Sequence, residues 1–153
     1  MREIVLRDFF LGRITPSALA KDVEGSKKKV GPINWVVEIE DMESQFQVTP
    51  QMLVSICDAV LSGQLPNENL SVIGFALVAS DHFEWDAEDV IGDIIHDWSC
   101  PEINYPLTLD NIRRFRNWLL GSETYPSKPP SKPSNTSEHL ISRTEKKWLR
   151  KAT

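Results

Sequence analysis

The sequence predicts a mainly α-helical fold of the α+β class, in which about six short helices pack round a central apolar helix and one small β-hairpin lies against them. Two observations support this. Apolar residues recur at spacings of three and four between capping residues and glycines, and only one stretch is rich in β-branched residues. With 153 residues and 41% hydrophobic content, the chain is long enough for one domain to bury a core without disulfides or metals.

The first three predicted helices are recognised by their ends. Residues 4–11 (IVLRDFFL) form a short amphipathic helix that Gly12 closes. The pairs Thr15-Pro16 and Thr49-Pro50 each place a capping hydroxyl before a proline at the first helical position, with stops at Gly25 and Gly63. The third helix has one apolar face, made of Leu53, Ile56, Cys57, Val60 and Leu61.

The β-structure is predicted between the second and third helices. Residues 33–39 (INWVVEI) are rich in strand-forming residues, and residues 46–48 (FQV) follow after a polar stretch. These two segments are expected to pair as the hairpin. The preceding residues 26–29 (SKKK) are expected to form a basic loop.

Three more helices follow. Residues 67–80 are apolar on almost every side, which suits a central helix. Asp86 is expected to cap the fifth helix, with Asp89 in its first turn and Pro101 beyond its end. The sixth, residues 111–120 (NIRRFRNWLL), is opened by Thr108 and Asp110 and stopped by Gly121.

The composition divides the chain into three parts. Residues 1–121 form the helical domain. Residues 122–137 are rich in proline, serine and lysine and read as an extended linker. Residues 138–153 (EHLISRTEKKWLRKAT) form a basic tail that could become an amphipathic helix.

Charge is distributed very unevenly. The 83 residues from Val30 to Ile112 contain no lysine or arginine but 15 of the 22 acids, whereas an even spread would place about nine basic residues there. Residues 1–29 carry +3 and residues 113–153 carry +7. Two explanations stay open: the acidic middle meets a positively charged partner, or the chain's own basic ends neutralise it.

Sites for chemistry are hard to find in this sequence. Asp89, Asp93 and His96 share one helical face and could bind a divalent cation. However, the chain has no HExxH, EF-hand, GxSxG or glycine-rich phosphate motif, and Cys57 and Cys100 lack a CxxC neighbour. We therefore expect no catalytic, metal or cofactor site. A metal-dependent hydrolase that uses the carboxylates of residues 81–98 is kept as an alternative.

Recognition of a protein fits the sequence better. Trp85 lies among acids, as Trp35 does beside Glu38 and Glu40, and aromatic anchors ringed by carboxylates suit a basic partner. The residues predicted to bind it are Glu84, Trp85, Asp86, Glu88, Asp89, Asp93 and Asp97. A regulatory or scaffold protein that docks through its tail is the other alternative.

One stretch resembles a known family. The segment FFLGRITPSALAKDVEG (residues 9–25), a helix end followed by a turn and a second capped helix, resembles the start of colicin-type immunity proteins. These are small acidic helical proteins that block a bacterial toxin. The resemblance implies a basic toxin, such as a nuclease domain, as the partner.

Membranes and nucleic acids are not expected partners. The longest apolar run, residues 70–79, is too short to cross a bilayer, and the amino-terminal MREIVLRDFF does not read as a signal peptide, so a cytoplasmic location is expected. The middle of the chain has no cation to contact phosphate.

Overall fold

A computed structural model describes residues 1–126 of the chain. Six helices and four short strands follow one another along it. In chain order they are α1 (Glu3–Phe10), α2 (Pro16–Ser26), β1 (Lys27–Lys29), β2 (Trp35–Val37), β3 (Phe46–Gln47), α3 (Pro50–Leu61), α4 (Asn69–Ala79), β4 (Phe83–Glu84), α5 (Val90–Ser99) and α6 (Leu109–Leu120). The mainly helical α+β class predicted from the sequence is confirmed.

Helix α4 is the centre of the core, as its apolar sequence predicts. Eight of its 11 residues are buried, more than in any other helix of the described chain. Helices α5 and α2 pack on α4, and α6 packs on α3 and, less extensively, on α5. Because α4 is apolar on all sides, it has to be covered from several directions, and this requirement brings the other helices together.

Local signals set the ends of most helices. The Thr15 hydroxyl accepts a hydrogen bond from the Ala18 amide at 3.2 Å, and the Thr108 hydroxyl accepts one from the Asn111 amide at 3.2 Å. Thr49 precedes α3 as predicted, but its side chain makes no capping hydrogen bond. Gly121 ends α6 with φ of +73°, a left-handed conformation that glycine adopts at little cost.

The predicted pairing of residues 33–39 with residues 46–48 is wrong. The structure has a hairpin, but β2 pairs antiparallel with β1, the lysine run expected to be a loop, so that Lys27 lies opposite Val37 and Lys29 opposite Trp35. Lysine has a low strand propensity, yet this hairpin lies at the surface, where charged residues are common on edge strands.

Strand β3 has a distant partner instead. Phe46 and Gln47 pair in parallel with Phe83 and Glu84 of β4, and helices α3 and α4 form the crossover between the two strands. The rings of Phe46 and Phe83 meet edge to face at 6.0 Å, and Phe10 of α1 packs on both. Tertiary packing of these rings thus sets the pairing.

The structure describes the first five residues beyond the predicted end of the helical domain at residue 121. Residues 122–126, the start of the predicted linker, contact the helical domain: the Ser122 amide donates to the Asn117 carbonyl at 2.9 Å, and Tyr125 packs on Trp118. The remaining linker and the whole predicted tail, residues 127–153, lie outside the described residues.

Gly74 gives the first testable prediction. A methyl group added at Gly74 of α4 would lie 2.7 Å from the Ser99 amide nitrogen and from the Trp98 Cβ of α5. Gly74→Ala is therefore expected to lower the free energy of unfolding by about 1–3 kcal/mol, although alanine favours helix. Gly25→Ala in α2, where nothing lies within 4 Å, should raise it by about 0.5 kcal/mol. Urea unfolding of both variants checks this, and equal effects would contradict the α4–α5 contact.

Candidate functional site

Six of the seven predicted partner-binding residues lie at the start of α5. Glu84 ends β4, and residues 86–89 form a turn that leads into α5, with Asp93 in the first turn of the helix. We call residues 84–89 the acidic loop. The prediction that Asp86 caps α5 is wrong: the helix begins at Val90, and the Asp89 carboxylate accepts from the Val90 amide at 2.7 Å.

Asp86 has a different role from the predicted one. Its carboxylate accepts a hydrogen bond from the Glu88 amide at 2.9 Å, and its carbonyl accepts one from the Asp89 amide at 3.3 Å. A short acidic side chain that bonds to the backbone two residues later stabilises a turn. Asp86 therefore shapes the acidic loop, and Asp89 begins the helix.

Two contacts hold the acidic loop against the core. The half-buried Trp85 indole donates to the Leu77 carbonyl of α4 at 3.4 Å, and its ring meets the His96 ring edge to face at 5.6 Å. The loop also folds back on α5, where a Cβ at Gly92 would lie 2.8 Å from the Ala87 carbonyl oxygen. Only glycine at position 92 leaves room for this close approach.

The acidic loop displays its carboxylates to solvent. Glu84, Asp86, Glu88 and Asp89 are all exposed. Within residues 1–126, no lysine or arginine forms a salt bridge with any of the four. Their negative charge is therefore not cancelled by the described part of the chain.

Six of the ten described lysines and arginines form salt bridges away from the acidic loop. Arg2 binds Asp22 at 2.9 Å, and Arg7 and Arg13 share Asp8. Three further salt bridges in the described chain involve acids between Val30 and Ile112. They join Lys28 to Glu38, Arg116 to Asp58 and Arg113 to Asp110. Residues 1–126 hold twenty acids and ten lysines or arginines, so neutralisation by the described basic residues is partial and does not include the acidic loop.

A cleft adjoins the acidic loop. It has a volume of about 470 Å³ and is lined by Val90, Asp93, Trp118, Glu123, Tyr125 and Pro126, among others. The Trp118 and Tyr125 rings meet edge to face at 4.9 Å on its wall. Aromatic faces beside carboxylates attract ammonium and guanidinium groups, so the cleft has the chemistry to receive a lysine or arginine side chain.

Asp97 does not belong to this surface, although its sequence position groups it with the other acids. Its side chain is completely buried, and its carboxylate accepts from the Asn104 amide group at 2.9 Å and from the Tyr125 hydroxyl at 2.6 Å. The residues after α5 and α6 supply both donors. A buried carboxylate with such donors stabilises the fold and is out of reach of a partner.

Of the eight residues that line the cleft, only Asp93 was among the residues predicted to bind a partner. Glu123 and Tyr125 fall in the segment predicted to be linker, because proline and serine dominate it. The signal that could have found them is Tyr125 itself, since a large aromatic residue just after a helix end commonly packs back on that helix.

Two observations concern metal binding and thiol chemistry in the described residues. Within residues 1–126, no three histidine, cysteine, aspartate or glutamate side chains are placed to hold a metal ion. Cys57 is fully buried, and burial raises its pKa to about 12, so it is a thiol at neutral pH. No helix in this part of the chain is long and apolar enough to cross a membrane.

In comparisons with known proteins, no family model, no curated protein and no solved structure matches this chain.

The Asp97–Tyr125 contact gives a prediction about stability. Tyr125→Phe removes one donor from a buried carboxylate and is expected to lower the free energy of unfolding by about 1–3 kcal/mol. The matched control is Tyr105→Phe, since Tyr105 also packs on Trp118 but its hydroxyl makes no hydrogen bond within residues 1–126. That control should change stability by less than about 0.5 kcal/mol.

The same contact predicts a dependence on pH. Burial, and then the Asp97 carboxylate, raise the pKa of Tyr125 above its ordinary value of 10.0. The folded state therefore keeps a proton that the unfolded state loses, and stability should fall as pH rises beyond about 10. Urea unfolding at about pH 8 and about pH 11 should show a smaller loss for Tyr125→Phe than for the wild type. An equal loss in both would contradict the assigned role of the hydroxyl.

Proposed function

We propose that this protein is a non-enzymatic acidic binding protein that covers a basic protein partner with the acidic loop and the adjoining cleft. The observation that carries the proposal is the set of four exposed carboxylates, at Glu84, Asp86, Glu88 and Asp89, that no cation in residues 1–126 neutralises. Concentrated charge of one sign raises self-repulsion in the folded state. A partner of opposite charge relieves that repulsion.

The rigidity of the acidic loop supports the same function. Trp85 ties the loop to α4, Asp86 fixes its turn, and Gly92 lets it lie against α5. A loop whose charged side chains are already held in place loses less conformational entropy when the partner binds. The cleft adds a place where one cationic side chain can contact the half-buried Tyr125 ring and lie near the carboxylates of Asp93 and Glu123.

A nuclease toxin is the class of partner that we favour. An enzyme that binds a phosphate backbone needs a basic surface, and a protein that blocks it needs a negative surface of comparable density. The acidic loop offers such a surface. The similarity of residues 9–25 to the start of colicin-type immunity proteins points to the same class.

Binding to a basic probe tests the acidic surface directly. The full chain should bind a decalysine peptide, with an affinity that falls steeply between about 0.05 and 0.5 M salt. Neutralising the loop with Glu84→Gln, Asp86→Asn, Glu88→Gln and Asp89→Asn should weaken binding roughly tenfold at low salt. Asparagine at position 89 can still cap α5. Titration calorimetry provides the measurement.

The control removes the same charge from other places. Four exposed glutamates outside the loop are changed to glutamine: Glu24, Glu43, Glu68 and Glu102. This variant has the same net charge as the loop variant, so it should weaken binding by about twofold or less. Equal weakening would show that net charge alone attracts the peptide and would overturn the assignment to the acidic loop.

The class of partner requires a separate test. Toxins and their inhibitors have to be made together, so the product of the reading frame beside this one should be a basic nuclease. An equimolar amount of the present protein should then abolish its cleavage of nucleic acid, and the loop variant should inhibit less. A metabolic enzyme at that position, or a nuclease that stays active, would refute the toxin assignment and leave the decalysine result standing.

A further inference from the structure

The tip of the β1–β2 hairpin is unlike the rest of the described surface. Residues 30–34 connect the two strands, and the loop is closed by the Val30 amide, which donates to the Asn34 carbonyl at 3.0 Å. Val30, Ile33 and Trp35 are 61%, 86% and 64% exposed. They are three of the four most exposed large hydrophobic residues in residues 1–126. We call residues 27–35 the hairpin tip.

Three lysines directly precede these apolar side chains in the chain. Lys27, Lys28 and Lys29 form β1, directly before the loop. Lys29 lies opposite Trp35 in the hairpin, and its ammonium group is 6.0 Å from the centre of the indole ring. Lys28 is paired with Glu38 at 2.8 Å, whereas no carboxylate within residues 1–126 forms a salt bridge with Lys27 or Lys29. The hairpin tip therefore carries positive charge on an otherwise acidic body.

This combination favours one kind of partner. A lipid bilayer has anionic phosphate groups at its surface, a boundary zone where tryptophan is favoured, and acyl chains just beneath. The hairpin tip has a matching group for each layer. The lysines suit the phosphate groups, Trp35 suits the boundary zone, and the aliphatic side chains of Val30 and Ile33 suit the acyl chains. In a nucleic-acid complex the lysines and Trp35 would find contacts, but aliphatic side chains have no flat face on which a base can stack.

We propose that the hairpin tip is a peripheral membrane anchor that binds anionic lipid surfaces. The sequence-based expectation was that this protein has no membrane partner, and it rested on the lack of a bilayer-spanning run and of a signal peptide. Attachment to a membrane surface needs neither of these, only a short amphipathic element. The charge of the acidic body opposes attachment, but salt limits its reach to about 8 Å at physiological ionic strength. Binding is therefore reversible, salt-sensitive and oriented with the hairpin tip toward the lipid.

Sedimentation with vesicles tests the proposal on the full chain. The protein should pellet with vesicles made of equal parts phosphatidylcholine and phosphatidylglycerol, and far less with phosphatidylcholine alone. Ile33→Ser combined with Trp35→Ser should lower the partition coefficient about tenfold or more. Replacing Lys27 and Lys29 with glutamine should lower it about fivefold for each lysine, on anionic vesicles only.

Two controls separate the hairpin tip from other surfaces. Ile103→Ser removes an isoleucine that is 73% exposed and lies outside the tip, so it should leave the partition coefficient unchanged. Lys146→Gln with Lys147→Gln reduces the positive charge of the basic carboxyl-terminal segment. The proposal expects the hairpin variants to lose most of the binding and the Lys146 and Lys147 variant to retain it. Circular dichroism of each variant establishes that it is folded.

Three results would overturn the proposal. The hairpin variants could bind as well as the wild type, which would place any lipid contact elsewhere. Ile103→Ser could weaken binding as much as the hairpin variants do, which would indicate unspecific adhesion. The wild type could fail to sediment with either kind of vesicle but bind a single-stranded polynucleotide through Lys27 and Lys29. The hairpin tip would then be a surface that binds nucleic acid. None of these outcomes bears on decalysine binding by the acidic loop.

Discussion

The burial of α4 is the constraint on which the other features depend. An eleven-residue helix with eight buried positions has to be covered on nearly every side, and α5 packs closely on one of these sides at Gly74. Gly74 makes that approach possible, because the backbone of α5 occupies the space where a Cβ would lie. The position of α5 in turn sets where the acidic loop is displayed, since the loop is tied to α4 by Trp85 and leads directly into α5.

The sequence predicted the number and approximate positions of the helices but not the strand pairs, and the reason is physical. Helix ends are recorded locally, in residues such as Thr15, Thr108 and Gly121, because capping uses hydrogen bonds between near neighbours. The pairing of a strand depends on a second segment, which the residues around the strand do not specify. Phe46 pairs with Phe83 because aromatic packing brings them together across two helices, and no short-range signal contains that information.

In the candidate site, too, local sequence predicts some features, whereas others depend on distant residues. Glu84, Asp86, Glu88 and Asp89 could be predicted to be exposed, since closely spaced acids just before a helix have few ways to become buried. The burial of Asp97 could not, because Asn104 and Tyr125 make it tolerable and both lie outside α5. A helical wheel alone cannot show that a later segment folds over one of its polar positions.

Segregation of charge connects the two proposed surfaces. Most ion pairs in the described chain join near neighbours or adjacent elements, and they leave the acidic loop and two lysines of the hairpin tip without a salt-bridge partner there. Because none of the described ion pairs joins these two surfaces, each of them keeps its charge for its own partner. A protein held at an anionic membrane by the hairpin tip would still present the acidic loop to a basic protein, and the lipid itself would not compete for that loop because the two repel each other.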